Sequence, residues 1–189
     1  AIMVSQANGN SFINVLNNNI VLNGSISDQN SLTSTDSDLD NMIIAHEYGH
    51  GISNRLTGGP STTSCLSNED QMGEGWSDWF GLMLTIESGD QGSDRRGVGT
   101  YVQNEPTTGD GIRPAPYSTN FSINGFTYNA TNSTGISRPH GIGFVWCTAL
   151  WDLTWDFIAE YGFDSDVYNG TGGNTMVMEL VMEGMKLHP

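Results

Sequence analysis

The sequence predicts an α+β fold that is mainly helical, with a short β or irregular segment at its N-terminus. Two observations support this prediction. Apolar residues recur at helical spacing in four segments after residue 38, which is typical of helices that pack against a core. The first 35 residues instead hold short apolar runs between asparagines and serines, and residues 11–16 and 20–22 are expected to be short strands.

The composition excludes several classes of protein. The chain has 189 residues, with 21 acidic and 6 basic side chains, so its formal charge is −15. Such a charge disfavours binding to nucleic acid, whose phosphates require basic residues. No apolar run reaches the ~20 residues that span a bilayer, and five Trp, seven Phe and six Tyr provide a core that disordered chains lack. We therefore expect a globular protein that binds neither nucleic acid nor membrane.

The first predicted helix follows an acidic stretch. Asp36, Asp38 and Asp40 suit a helix N-terminus, where the helix dipole is positive. Glycines and a proline at positions 58–60 end this helix. The same three carboxylates also offer oxygen ligands to calcium, although they do not have the spacing of an EF-hand. Both roles stay open from the sequence.

Three more helices are predicted further along the chain. The second covers about residues 73–88, and the fourth covers about residues 174–187. The third covers about residues 140–161 and is apolar nearly all round, which predicts a position in the middle of the core. Residues 89–139 are rich in Gly, Pro, Thr and Asn and predict a long loop region; loops of this length usually serve a function.

The segment HEYGH at residues 46–50 matches H-E-x-x-H inside the first predicted helix. Because His46 and His50 are four residues apart, both imidazoles lie on one helix face and can reach one ion. A catalytic zinc ion takes such ligands and leaves one position for water. Glu47 is expected to accept a proton from that water. The five residues can also occur by chance and pack as ordinary core.

A third ligand has to come from another element. Glu74 begins the second predicted helix, and Asp78 follows four residues later on the same face. Glu74 is therefore the candidate third ligand, and Asp78 is expected to accept the outer N–H of a ligating histidine. The alternatives are a solvated acid at a helix start for Glu74 and a polar interruption of an apolar face for Asp78.

Five motifs follow one another along the chain: HEYGHGISNRLTGGP from residue 46, MGEGWSD from residue 72, GIR from residue 111 with PYST from residue 116, HGIG from residue 140 with VW from residue 145, and EGMKL from residue 183. Together they closely resemble the fungalysin family of secreted metallopeptidases, gluzincins that are akin in fold to thermolysin. The resemblance spans about residues 38–187. It implies that the fold is that of a thermolysin-like zincin.

The resemblance implies roles for the candidate residues. His46, His50 and Glu74 bind zinc, and Glu47 is the general base. His140 donates to the oxyanion of the tetrahedral intermediate, and its alternative is an ordinary histidine at a helix start. Arg113 is expected to bind a substrate carbonyl or to brace the site. Tyr117 is expected to donate a hydrogen bond and is grouped with Arg113 as a substrate-binding residue.

The resemblance also implies how the chain is organised and where it acts. Residues 1–57 are expected to be the remnant of an N-terminal subdomain with the zinc-binding helix, and residues 58–189 the mainly helical C-terminal subdomain that completes the site. The expected activity is an extracellular zinc endopeptidase with protein or peptide substrates, in contact with its own propeptide or with a missing N-terminal subdomain. Besides zinc, calcium is the second expected cofactor, because thermolysin-like enzymes often use it.

Other functions stay open from the sequence. A zinc hydrolase that trims peptide ends needs a charged group to hold the terminus, and no residue stands out for that task. A non-catalytic, zinc-stabilised fragment that acts as a binding module is the alternative from another class. Cys65 and Cys147 either form one bridge or are buried thiols.

Overall fold

The computed structural model describes residues 35–188, together with residues 13, 14 and 17. The chain divides into two compact units, residues 1–33 and residues 34–189. In the first unit the three described residues are helical, so the strand expected over residues 11–16 is wrong at residues 13 and 14. A short apolar run fits a helix as well as a strand. The strand expected over residues 20–22 lies outside the described residues, and the subdomain boundary at residue 57 stays a prediction.

The second unit is mostly helical. Its described residues form four α-helices and two 3₁₀ helices: Ser37–Leu39, α1 Asn41–Leu56, α2 Gly73–Thr85, Tyr128–Asn132, α3 His140–Tyr161 and α4 Gly173–Lys186. The four helices predicted from apolar spacing are therefore confirmed. Extended pairing among the described residues is limited to two isolated bridges, so the expected α+β composition is confirmed only in its helical part. None of the described helices is long and apolar enough to cross a membrane.

Acidic side chains fix the start of α1. One oxygen of Asp40 accepts hydrogen bonds from two backbone N–H groups in the first turn of α1, at 3.0 and 3.1 Å. Its other oxygen accepts the N–H of Tyr101 at 3.1 Å. Asp36 caps the preceding 3₁₀ helix by accepting the N–H of Asp38. These contacts confirm the expected role at a helix start, and the calcium site is not supported, because Asp36 and Asp40 are already engaged as caps.

Helix α3 lies in the middle of the helical packing, as its apolar composition predicts. It contacts α2 on one side and α4 on the other, and α1 packs against α2. Trp79 of α2 and Trp151 of α3 are almost completely buried. The indole N–H of Trp79 donates to the hydroxyl of Thr154 at 2.9 Å, which links α2 to α3 in the core. Burial of large aromatic rings contributes most of the energy that holds such a packing together.

Two glycines allow α2 and α3 to touch through their backbones. A Cβ on Gly75 would lie 2.2 Å from the carbonyl oxygen of Gly143. A Cβ on Gly143 would lie 2.5 Å from both the Gly75 nitrogen and the Glu74 Cβ. Glycine inside a helix costs about 1 kcal/mol relative to alanine, so close approach is the physical reason for glycine here. The contact sets the position of Glu74 relative to the start of α3.

Replacing Gly143 by alanine should destabilise the chain by about 3 kcal/mol, the upper end of the usual cost of overpacking, because backbone atoms have to move. The matched control is Gly184→Ala on α4, where an added Cβ meets nothing within 4 Å. That change should stabilise by about 0.5–1 kcal/mol through helix propensity. Urea unfolding followed by circular dichroism measures both. Equal effects of the two substitutions would contradict the close packing of α2 on α3.

The long connection between α2 and α3 is held by the two bridges. Arg96 and Tyr117 exchange backbone hydrogen bonds at 2.9 and 2.8 Å, and Val98 pairs with Gly111. Gly111 has φ of 66° and a Cβ there would lie 2.2 Å from the Val98 carbonyl oxygen, so only glycine fits. As a result, the segment after Gly111 turns inward and carries Arg113 and Tyr117 against α2.

Candidate metal centre

Three side chains from two helices converge on one point. His46 and His50 lie one turn apart on α1, and Glu74 lies in the first turn of α2. The two Nε2 atoms are 3.1 Å apart. Oε2 of Glu74 is 3.3 Å from His46 Nε2, and Oε1 is 3.7 Å from His50 Nε2. The ligand atoms of these three residues all lie within 4.8 Å of one another.

The geometry of this donor set fits zinc. Ligands at 2.0–2.2 Å in a tetrahedral array lie about 3.4 Å from one another, and the three observed separations fall around that value. Oε2 of Glu74 is buried and has no partner with hydrogen-bond geometry, which suits an oxygen intended for a cation. Among the described residues the group comprises these three donors alone, and three protein ligands are typical of a catalytic zinc site.

A buried carboxylate orients the first histidine. Nδ1 of His46 donates to Oδ1 of Asp78 at 2.7 Å, which leaves Nε2 directed at the common point. Asp78 is completely buried and lies one turn beyond Glu74 on α2. Such a hydrogen bond fixes both the tautomer and the ring orientation of a ligating histidine. The structure thus brings together the three expected ligands and Asp78, which was expected to accept a hydrogen bond from one of them.

Burial and neighbouring charges shift the pKa values of the clustered side chains in opposite directions. Burial alone lowers the pKa of His46, but the adjacent carboxylates of Asp78 and Glu74 raise it to about 9. Burial also favours protonated Glu74 and Asp78, yet His46 beside both, and Arg113 beside Asp78, keep the pKa of each below its usual range. Burial and the nearby His46 lower the pKa of His50, so its imidazole stays neutral, as metal ligation requires.

The two residues expected to perform chemistry border the donor set. Glu47 is exposed on α1, and its charge acts on the neighbouring His50. His140 is the first residue of α3, and its Nε2 lies 3.4 Å from Oε1 of Glu74. Its side chain is 56% exposed, so the imidazole also faces solvent at the edge of the site. Both roles remain proposals.

Arg113 and Tyr117 lie behind the donor set. The Arg113 guanidinium donates to both oxygens of Asp78, at 2.7 and 2.8 Å, and approaches Glu74 Oε2 at 3.6 Å. These contacts favour a role for Arg113 in bracing the site over a role in binding a substrate carbonyl. The Tyr117 hydroxyl donates to Asp78 at 2.5 Å, and the residue is completely buried. Complete burial argues against contact between Tyr117 and a substrate, and its hydroxyl bonds to Asp78 instead; its expected role in substrate binding stays a prediction.

Both described cysteines are free. Cys65 is half-buried, and Cys147 lies fully buried on α3 near Tyr117 and Asp78. Burial and the charge of Asp78 raise the pKa of Cys147 well above its usual range, so the group is a neutral thiol. The structure therefore favours free thiols over a bridge.

Comparison with known proteins agrees with this geometry. A family profile described as "Fungalysin metallopeptidase (M36)" matches residues 26–189, which is most of the chain. The chain belongs to the fungalysin family. Fungalysins are metallopeptidases, so membership implies a metal ion, and zinc fits the three donors found here.

Fungalysin relatives are similar to this chain over most of its length. "Extracellular metalloproteinase 2" of Arthroderma gypseum is 40% identical over 164 residues. "Extracellular metalloproteinase MEP" is 40% identical over 166 residues in Fusarium vanettenii and 40% identical over 163 residues in Pyricularia oryzae. Each comparison covers 82% of this chain and 25% of the relative. The chain thus spans about a quarter of the length of the curated relatives it matches.

Proposed function

We propose that this chain supplies the catalytic centre of a zinc endopeptidase. The observation that carries the proposal is the convergence of His46, His50 and Glu74, with ligand atoms within 4.8 Å and a buried Glu74 oxygen that makes no hydrogen bond. We further propose a thermolysin-like fold for the protein, in which the described helices are the helical part. The relatives are named extracellular metalloproteinases, which supports an extracellular location and protein or peptide substrates.

The proposed roles follow from the position of each side chain. When bound, zinc supplies Lewis-acid polarisation of the scissile carbonyl and a lowered pKa for water. Glu47, exposed beside the first ligand, accepts a proton from the attacking water and passes it to the leaving nitrogen. His140, held at the start of a rigid helix, donates to the oxyanion without reorganising. Asp78 holds His46 in the ligating tautomer.

The non-catalytic, zinc-stabilised module has no support. A purely structural zinc site closes all four positions with protein ligands, whereas the donor group among the described residues has three members. A module also has no use for the glutamate beside His46. Contact with a propeptide or with an N-terminal subdomain remains a proposal that follows from the family alone.

Metal analysis of the purified chain tests the proposal together with a peptide-cleavage assay. We expect one zinc ion per chain and cleavage of an unstructured protein substrate that a chelator abolishes and added zinc restores. His46→Ala should weaken zinc binding by more than the 10–100-fold that loss of an outer hydrogen-bond partner costs. Equilibrium competition with a chromophoric chelator measures the affinity.

The matched control is His188→Ala, because His188 packs against Trp76 with ring centroids 6.0 Å apart and is not in the donor group. This change should leave zinc affinity unchanged. A wild-type chain that binds no zinc, or a His46→Ala chain that binds it as tightly as the wild type, would overturn the proposed centre.

A further inference from the structure

Tyr117 has a buried hydroxyl that the proposed chemistry does not use. The residue is completely buried in the core, and its ring lies 5.2 Å from that of Phe144, measured between centroids. Its hydroxyl donates to Oδ2 of Asp78 at 2.5 Å. Placing a tyrosine hydroxyl in a core is costly unless it finds a partner. The partner here is the carboxylate that orients the first metal ligand.

All acceptor positions of Asp78 are filled. An ionised carboxylate has about four lone-pair sites. Oδ1 accepts from His46 at 2.7 Å and from Arg113 Nη2 at 2.8 Å. Oδ2 accepts from Arg113 Nε at 2.7 Å and from Tyr117 at 2.5 Å. The carboxylate therefore has one donor for each site, and removal of any one of them leaves a buried anion incompletely satisfied.

Arg113 and Tyr117 support Asp78 from different surroundings. Arg113 is shared between two carboxylates, because its Nη2 also lies 3.6 Å from Oε2 of Glu74. Its guanidinium therefore also faces a carboxylate of the donor set. Tyr117 is fixed, because its backbone exchanges hydrogen bonds with Arg96 on both sides and its ring is enclosed by the core. Tyr117 is thus a second donor to Oδ2, held in place by its backbone and by the core.

We propose that Tyr117 is a positioning residue of the metal centre, which holds the carboxylate of Asp78 at the orientation that directs Nε2 of His46 to the ion. The inference rests on the proposed zinc centre. According to this inference, the loop before α3 increases the affinity for the metal without contacting the substrate. The chain of contacts runs from the Tyr117 hydroxyl through Asp78 to the imidazole of His46.

The test is Tyr117→Phe in the full chain, which removes the hydroxyl and keeps the ring. We expect the zinc dissociation constant to rise about tenfold, the lower end of the effect of losing an outer partner. The visible absorption bands of the cobalt(II)-loaded chain should shift as well, because they report ligand geometry. The matched control is Thr154→Val, which removes a buried hydroxyl that accepts the indole N–H of Trp79 and donates to the Leu150 carbonyl, not to Asp78. It should lower stability but leave the zinc constant and the cobalt spectrum unchanged.

Failure of the inference is distinct from failure of the centre. A wild-type chain that binds no zinc contradicts the proposed function and the inference with it. A wild type that binds zinc, with an unchanged constant and spectrum in Tyr117→Phe, overturns the inference alone, as does an equal loss of zinc affinity in Thr154→Val. One further measurement uses the wild-type chain and so does not require the variant to fold. The NMR chemical shift of the protected Tyr117 hydroxyl proton should change when zinc binds. An unchanged shift would also overturn it.

Discussion

Replacing Glu47 by glutamine should lower peptide hydrolysis by orders of magnitude while zinc binding stays intact. Glutamine has the shape of glutamate but does not accept a proton from water or return it to the leaving nitrogen. Loss of a general base lowers turnover by about 10²–10⁴-fold. Because Glu47 is exposed and not a member of the donor group, the fold and the metal affinity should be unaffected. Turnover of a quenched peptide and zinc competition measure the two effects separately.

The matched control for this prediction is Glu160→Gln. Glu160 is exposed near the end of α3, whereas His140 begins the same helix of 22 residues. At 1.5 Å per residue the two positions are about 30 Å apart. The control removes the same charge far from the site and should change turnover little. Near-normal turnover in Glu47→Gln would remove Glu47 from the mechanism, and equal losses in both variants would indicate a general effect of charge.

Much of the helical part was predictable because its signals are local. Apolar spacing and the capping acid Asp40 depend on residues within a few turns, and α1 begins directly after Asp40. The His46 and His50 pair was equally local, since helix geometry alone places residues four apart on one face. Prediction failed at residues 13 and 14, which are helical, because a short apolar run has no distinguishing period.

The support of the site was harder to predict because it depends on contacts between distant segments. The sequence indicated that Asp78 would assist a histidine, but not that Arg113 and Tyr117 would share the same carboxylate from a loop more than thirty residues away. Loop residues have no periodicity that reveals where they point. The contact of Gly75 with Gly143 likewise joins segments far apart in the sequence, and the two glycines alone do not identify each other as partners.

The carboxylate of Asp78 should be the most sensitive position for stability. In Asp78→Asn the Arg113 guanidinium, whose side chain is 7% exposed, loses its closest anion, and Glu74 at 3.6 Å is then its one ion-pair partner within residues 35–188. Removing one partner of a buried ion pair costs about 3–5 kcal/mol. This is a large fraction of the 5–15 kcal/mol that typically separates folded from unfolded chains. Zinc affinity should fall about 10–100-fold as well, because His46 loses the acceptor that orients it.

An exposed ion pair of similar chemistry provides the control for Asp78→Asn. Asp70 accepts from the Arg138 guanidinium at 2.7 Å, but its side chain is 71% exposed. Asp70→Asn should therefore cost at most about 1 kcal/mol, because water solvates both charges. Urea unfolding of both variants, after chelator has removed metal, compares a buried pair with a solvated one. Equal destabilisation would mean that leaving buried Arg113 without Asp78 costs no more than breaking a solvated pair. The contact of Arg113 with Asp78 would then contribute as little to stability as an exposed ion pair.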